Sequence, residues 1–99
     1  MDIEWTLEAK KDLKKIYKFY FKHFSVELAQ KIKNQALNKV KTLRLGTELG
    51  QEENLLKHLN EGHRYLITNH NKIIYKVVNK TAYITHVFDT RQDPEKLEL

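Results

Sequence analysis

The apolar period of this chain changes once, and the change falls at a pair of glycines. From Leu7 to Arg44 apolar residues return every three or four positions, whereas from His63 to Asp89 they return about every second one; Gly46 and Gly50 stand between. A period near 3.6 belongs to amphipathic helix and a period of two to half-buried strand. Neither kind of element is stable alone, because each must bury its apolar side. The expected fold is therefore α+β, a two-helix antiparallel hairpin packed on a small, mainly antiparallel β-sheet.

The helical half divides at HFS, residues 23–25. Ala9, Leu13, Ile16, Tyr20 and Phe24 form one stripe, widened by Tyr17 and Phe21, which predicts a helix over about 7–22. Thr6 is its expected cap, with Glu8 in the first turn, where a negative charge is favoured. Ser25 caps the next helix, with Phe24 placed for a hydrophobic staple. Ala29, Ile32, Ala36, Val40 and Leu43, broadened by Leu28 and Leu37, extend that helix over about 26–44. The short link makes the two helices antiparallel neighbours. Ahead of them, DIEWT alternates polar and apolar residues and reads as a short strand with Ile3 and Trp5 on one face.

Residues 46–54 read as a connector, and NLLKHLNEG as either a helical turn or a strand. Three strands follow, His63–Thr68, Lys72–Val78 and Thr81–Asp89, joined by NHN and NK. On the middle strand Ile73, Tyr75 and Val77 share one face, while Ile74 and Val78 share the other. The helices cover one face and leave the second partly covered.

At 99 residues the chain is one domain, residues 1–99, with a modest core. It lacks cysteine, which excludes disulfides and thiolate metal sites. It also lacks the long apolar run of a membrane span, and its acidic, mixed N-terminus does not resemble a signal peptide. The expectation is a cytoplasmic protein with no membrane partner. Lys and Arg number 18 against 13 Asp and Glu. Eleven of those basic residues fall between 10 and 44, where Asp12 and Glu27 are the only acids; residues 89–98 lean acidic. Such a field favours nucleic acid or an acidic protein partner, although lysines also keep an amphipathic helix in solution.

No phosphate loop, zinc-binding helix or serine nucleophile motif occurs. The five histidines, His23, His58, His63, His70 and His86, lack metal-ligand spacing, so neither metal nor cofactor is expected. Ser25 is explained by capping. Arg64 opens the first of the later strands and shares parity with Leu66 and Thr68. Arg91 follows the last strand, near Asp89 and Asp93. A guanidinium at either place suits phosphate or carboxylate recognition, or a structural carboxylate pair. Lys57, His63 and His86 complete a basic set able in principle to support metal-free RNA cleavage. Tyr65, Tyr75, Tyr83 and Phe88 could stack on bases or fill the core.

Three strings in this order resemble the RelE/ParE family of bacterial toxins: IEWTLEAKKDLKKIYKFY, HRYLITNHNKIIYKV and VFDTRQDPEKL. The resemblance spans nearly the whole chain. It implies a RelE/ParE-like fold and a toxin neutralised by a cognate antitoxin in a toxin–antitoxin hetero-oligomer. It implies one of two targets, the ribosome with its mRNA, which is cut, or DNA gyrase, which is bound and blocked. Carried over by position, Arg64 and Arg91 match target-contacting basic residues, with Lys57 and Tyr65 beside them as target-binding residues. Ribonuclease members place a tyrosine in or after the last strand. This chain has none after Tyr83, leaving Arg64, His86 and Arg91 as catalytic candidates if it is an enzyme. The departure places the chain nearer the ParE side and favours gyrase inhibition over ribosome-dependent endoribonuclease action. A basic nucleic-acid-binding module without toxin activity is the third reading.

Overall fold

The computed structural model describes residues 2–46 and 50–90. Arg91, and the terminal turn expected from Asp93, Pro94 and Leu97, lie outside the described residues. The order is β1 (Asp2–Trp5), α1 (Leu7–His23), α2 (Val26–Lys41), a 3₁₀ turn (Thr42–Arg44), β2 (Gln51–Glu52), a 3₁₀ segment (Asn54–Leu59), β3 (Arg64–Thr68), β4 (Asn71–Val78) and β5 (Thr81–Asp89). The strands form one sheet in the order β1-β5-β4-β3-β2, antiparallel except for the parallel pair β1–β5.

Both helices start where their caps predict. Ala9 N donates to Thr6 Oγ1 at 3.2 Å, and Leu28 N donates to Ser25 Oγ at 3.1 Å. The second helix tightens into the 3₁₀ turn after Lys41, a common way to close a last turn. The stripe of α1 is narrower than its periodicity suggests. Ala9 is fully buried, whereas Phe21 is 56% and Phe24 64% exposed. Phe24 ends α1 with its N–H on Tyr20 O, and its backbone leaves helical geometry there. Its ring is largely exposed and lies against Tyr20 and Phe19 of α1.

The core lies between the helix pair and one face of the sheet. Ala9, Ala36, Val40 and Leu43 pack with Leu66, Ile73, Tyr75, Ala82, Ile84 and Val87. The strand register agrees, since Leu66 stands opposite Ile73, and Ile73 opposite Val87. At Tyr75 the partner becomes Ile84, so Thr85 is an extra residue in β5, a β-bulge. A bulge leaves backbone groups unpaired, and here the β1–α1 junction supplies partners. Thr6 Oγ1 donates to Ile84 O at 2.7 Å, and Val87 N donates to Asp12 Oδ2 at 3.0 Å. Burial holds the Asp12 carboxyl above the usual carboxylate range, with the Val87 N–H pulling the other way. Thr6 and Asp12 thus fix α1 across the sheet.

The connector holds a strand that its sequence does not announce. Gln51 and Glu52 pair with Tyr65 and Arg64 as a short antiparallel edge. Two residues are too few for alternation to register, and their stability comes from tertiary contacts. The run after them is a 3₁₀ segment, ended by Asn60 in the left-handed region. The hairpin link between β3 and β4 is Asn69–His70, one residue shorter than expected, because Asn71 already pairs with Asp89. Asn79 and Lys80 both have positive φ, the two-residue geometry that suits strand twist at a tight hairpin.

Candidate functional site

Two surfaces flank this frame, and the sequence-derived residues divide between them. Arg64 shares the helix-facing parity of Leu66, whereas Tyr65 faces the other way. Half-buried Arg64 donates from a guanidinium nitrogen to Gly50 O at 2.8 Å, which ties β3 to the end of the connector. Tyr65 and His86 belong to the outer side, while Lys57 lies in the 3₁₀ segment near Glu52, the register partner of Arg64. Arg64 is therefore not brought into one cluster with Tyr65 and His86, and Arg91 lies outside the described residues.

The outer face carries Tyr65, Lys72, Ile74, Lys76, Tyr83, His86 and Phe88. Ile74 and Phe88 are buried although they face away from the helices. The segment after β2 accounts for this. Glu53 reaches Lys72 at 3.0 Å and Glu61 reaches Lys76 at 3.1 Å, so the chain between them crosses this face as a strap. Leu56 within the strap is 1% exposed. Glu53 is also buried and uses both carboxylate oxygens, accepting from Leu55 N and from Lys72 Nζ.

The remaining polar groups are mostly engaged. Tyr65 OH donates to Gln51 Oε1 at 3.0 Å, and the Lys72 ammonium sits 4.3 Å from the centre of the Tyr65 ring. Lys57 is exposed and lies 3.8 Å from Glu52. The His86 Nδ1 is 3.0 Å from Thr85 Oγ1, and that hydroxyl also reaches Ile74 O. His63, just before β3, is 5% exposed, and its Nδ1 has no partner among the described residues.

Burial lowers the His63 pKa below its ordinary 6.5, with Glu61 acting against that shift and Lys76 and His86 with it. The unfolded chain then takes up the proton more readily than the folded one. The stability that neutral His63 supports is complete above pH 6.5 and is lost as pH falls from there through the lower folded-state value. Urea unfolding of wild type should show a falling midpoint between about pH 7.5 and about pH 5.5, and His63→Leu should flatten that fall. An unchanged slope in the variant would assign the pH dependence to other groups.

The second surface lies on the opposite side, and sequence reasoning missed it. Trp5, Leu13, Tyr17 and Leu37 floor a groove of about 400 Å³ where β1, α1 and α2 meet. Lys10, Lys14 and Lys33 rim it, and the Lys33 ammonium lies 5.7 Å from the centre of the Tyr17 ring. Gln30 Nε2 donates to Tyr17 OH at 3.2 Å, which orients the ring. A signal was present. Lys10 and Lys14, Leu13 and Tyr17, and Lys33 and Leu37 are three pairs at helical spacing of four. They define a lysine-edged apolar seam once the two helices are set side by side. Among the described residues no helix is long and apolar enough to cross a membrane.

Comparison with known proteins follows the same lines. A family described as "ParE toxin of type II toxin-antitoxin system, parDE" matches residues 3–94. No curated protein matches. A solved structure described as "Chromosomal ParDE TA system from P. aeruginosa" superposes with a TM-score of 0.73 at 24% sequence identity. The alignment covers 88% of this chain and 92% of that one, and it establishes a shared fold.

Proposed function

This chain belongs to the ParE toxin family, and from that premise we propose that it acts by binding DNA gyrase and blocking supercoiling, not by cutting RNA. It is the toxin component of a ParDE-type type II toxin–antitoxin system of bacteria. The proposed site of action is the cytoplasm, where gyrase and the antitoxin are met.

One observation carries the choice of mechanism. A ribonuclease face needs cations held ready for a phosphate and a group poised for proton transfer. On the outer face, Lys72 and Lys76 each lie within 4 Å of a carboxylate, from Glu53 and Glu61, and Lys57 in the strap lies 3.8 Å from Glu52. His63 is buried and His86 is held against Thr85, while Arg64 bonds to Gly50 O across the sheet. Charge neutralised in this way attracts phosphate weakly, and a protein-binding mode does not require it.

The lysine-edged groove is the proposed seat of the cognate antitoxin. Its apolar floor suits the apolar side of an amphipathic segment, and its rim suits flanking acids. Edge strand β1 runs beside the groove and can pair with an added strand.

The test uses purified toxin in two assays, supercoiling by purified gyrase and translation of a defined messenger by ribosomes. Loss of supercoiling with an intact messenger is expected. Codon-positioned cuts with normal supercoiling would establish the endoribonuclease instead. Salt-sensitive nucleic-acid binding with neither effect would leave a binding module. Added antitoxin should restore supercoiling, but not with Leu13→Lys toxin, whose groove floor carries a charge. Equal rescue of that variant would remove the groove from the antitoxin contact.

A further inference from the structure

Phe19, Tyr20, His23 and Phe24 form a ring cluster at the turn end of the helix hairpin, where α1 passes into α2. Phe19 meets Tyr20 edge-on at 5.3 Å and His23 at 4.7 Å between ring centres, and Phe24 lies 5.6 Å from Tyr20. Phe19 is 48% and Phe24 64% exposed, and Val26 beside them is also exposed. This exposure is costly in water, and the core does not use these faces. Basic residues predominate around the cluster, although Asp89 lines the shallow groove beside Phe19 and Tyr20 and Glu27 follows Val26. From Leu13 to Val26 the sequence carries Lys14, Lys15, Lys18 and Lys22 and no acid.

We propose that this hairpin tip is the surface that meets gyrase, and that it seats its two phenylalanines in an apolar socket of an acidic protein face. The inference rests on the gyrase reading above and adds to it the location and chemistry of the contact. Three features favour a protein socket. The rings brace one another on a helix end, so little side-chain freedom is lost on docking. Large, centrally grouped aromatic side chains ringed by polar groups are the usual anchors of a protein interface. The charge of the tip is complementary to acids, which steer association. A lipid surface fits less well. An interfacial helix lies along the membrane with its whole apolar side immersed, whereas α1 is held to the sheet by the Val87–Asp12 hydrogen bond and its buried Ala9.

The experiment compares wild type with Phe19→Ala/Phe24→Ala and with Lys18→Glu/Lys22→Glu in the supercoiling assay, using purified gyrase and relaxed plasmid. Both variants alter exposed positions, and their thermal unfolding is measured alongside. Each should need at least about tenfold more toxin for half-inhibition, with unfolding unchanged. If wild type inhibits and both folded variants inhibit equally well, the tip is not the gyrase contact, and the gyrase reading stands without it. If wild type itself leaves supercoiling intact, the gyrase reading fails and this inference fails with it. Vesicles of phosphatidylglycerol and duplex DNA are tested in parallel. Binding to either that depends on Phe19 and Phe24, with gyrase inhibition unaffected by the variants, reassigns the tip to that partner.

Discussion

Replacing Gly50 with alanine is expected to destabilise the domain by about 3 kcal/mol, at the upper end of the cost of overpacking. A methyl group there would stand 2.5 Å from Tyr75 Oη, 2.7 Å from Tyr75 Cε1 and 2.7 Å from Tyr65 O. Tyr75 is fully buried and cannot swing aside, and Tyr65 O belongs to the backbone of β3. Gly50 also donates its N–H to Tyr75 Oη at 3.0 Å and accepts from Arg64 at 2.8 Å, so its displacement disturbs both bonds. The check is a urea titration of Gly50→Ala, Tyr75→Phe and the double variant. Removal of the hydroxyl relieves part of the clash, so the double variant should lose less than the sum of the singles. Strict additivity, or a loss below about 0.5 kcal/mol in Gly50→Ala, would mean that the close approach is not constraining.

Gly50 shows where sequence reading reaches and where it stops. Its place at the change of period was legible, as were both caps, the hairpin of helices and the three later strands. Those features depend on neighbours in the chain. The close approach of Gly50 to Tyr75 depends on a residue twenty-five positions away, and no local pattern encodes it. The same holds for the bulge at Thr85 and for Asp12, which reads as a surface acid on α1 yet accepts from Val87. Among the candidate site residues, Tyr65 and His86 do fall on one side of the sheet, both opposite Ile74. Arg64 falls on the other, because a strand sends successive side chains to opposite faces. The strap that neutralises the outer lysines was hidden in what read as a connector. Phe24 was hidden differently, since its spacing is that of the core stripe and only the end of α1 there turns its ring outward, whereas Phe19 lies off that stripe.

Glu53→Ala carries the second large expected effect, about 2–3 kcal/mol. A carboxylate that is 1% exposed holds the start of the strap through Leu55 N and the sheet through Lys72, both at 3.0 Å. Its removal leaves an amide without its cap and an ammonium without its counter-charge. The Lys72 side chain keeps 21% exposure, so water recovers part of the loss, and the expected cost falls below that of breaking a fully buried pair. Glu53→Gln keeps an oxygen for Leu55 and should lie between wild type and alanine. Hydrogen exchange is the sharper measurement. The amides of Asn54–Leu59 should lose protection in Glu53→Ala before those of β4, because the strap opens as a unit of its own. Simultaneous loss across strap and sheet would show that the two open together.

The parallel pairing of β1 with β5 joins residues 2–5 to residues 81–84. A nascent chain therefore emerges with its first strand lacking the neighbour it needs until residues 81–84 have been made. The helix hairpin is local and forms early, but the sheet that holds it closes only when β5 is present. Thr6 and Asp12 likewise await Ile84 and Val87 before their bonds are made. Folding of the toxin is thus tied to the synthesis of β5. A truncated product that stops short of β5 lacks both the closing strand and the partners that set α1, so an interrupted message yields no finished poison.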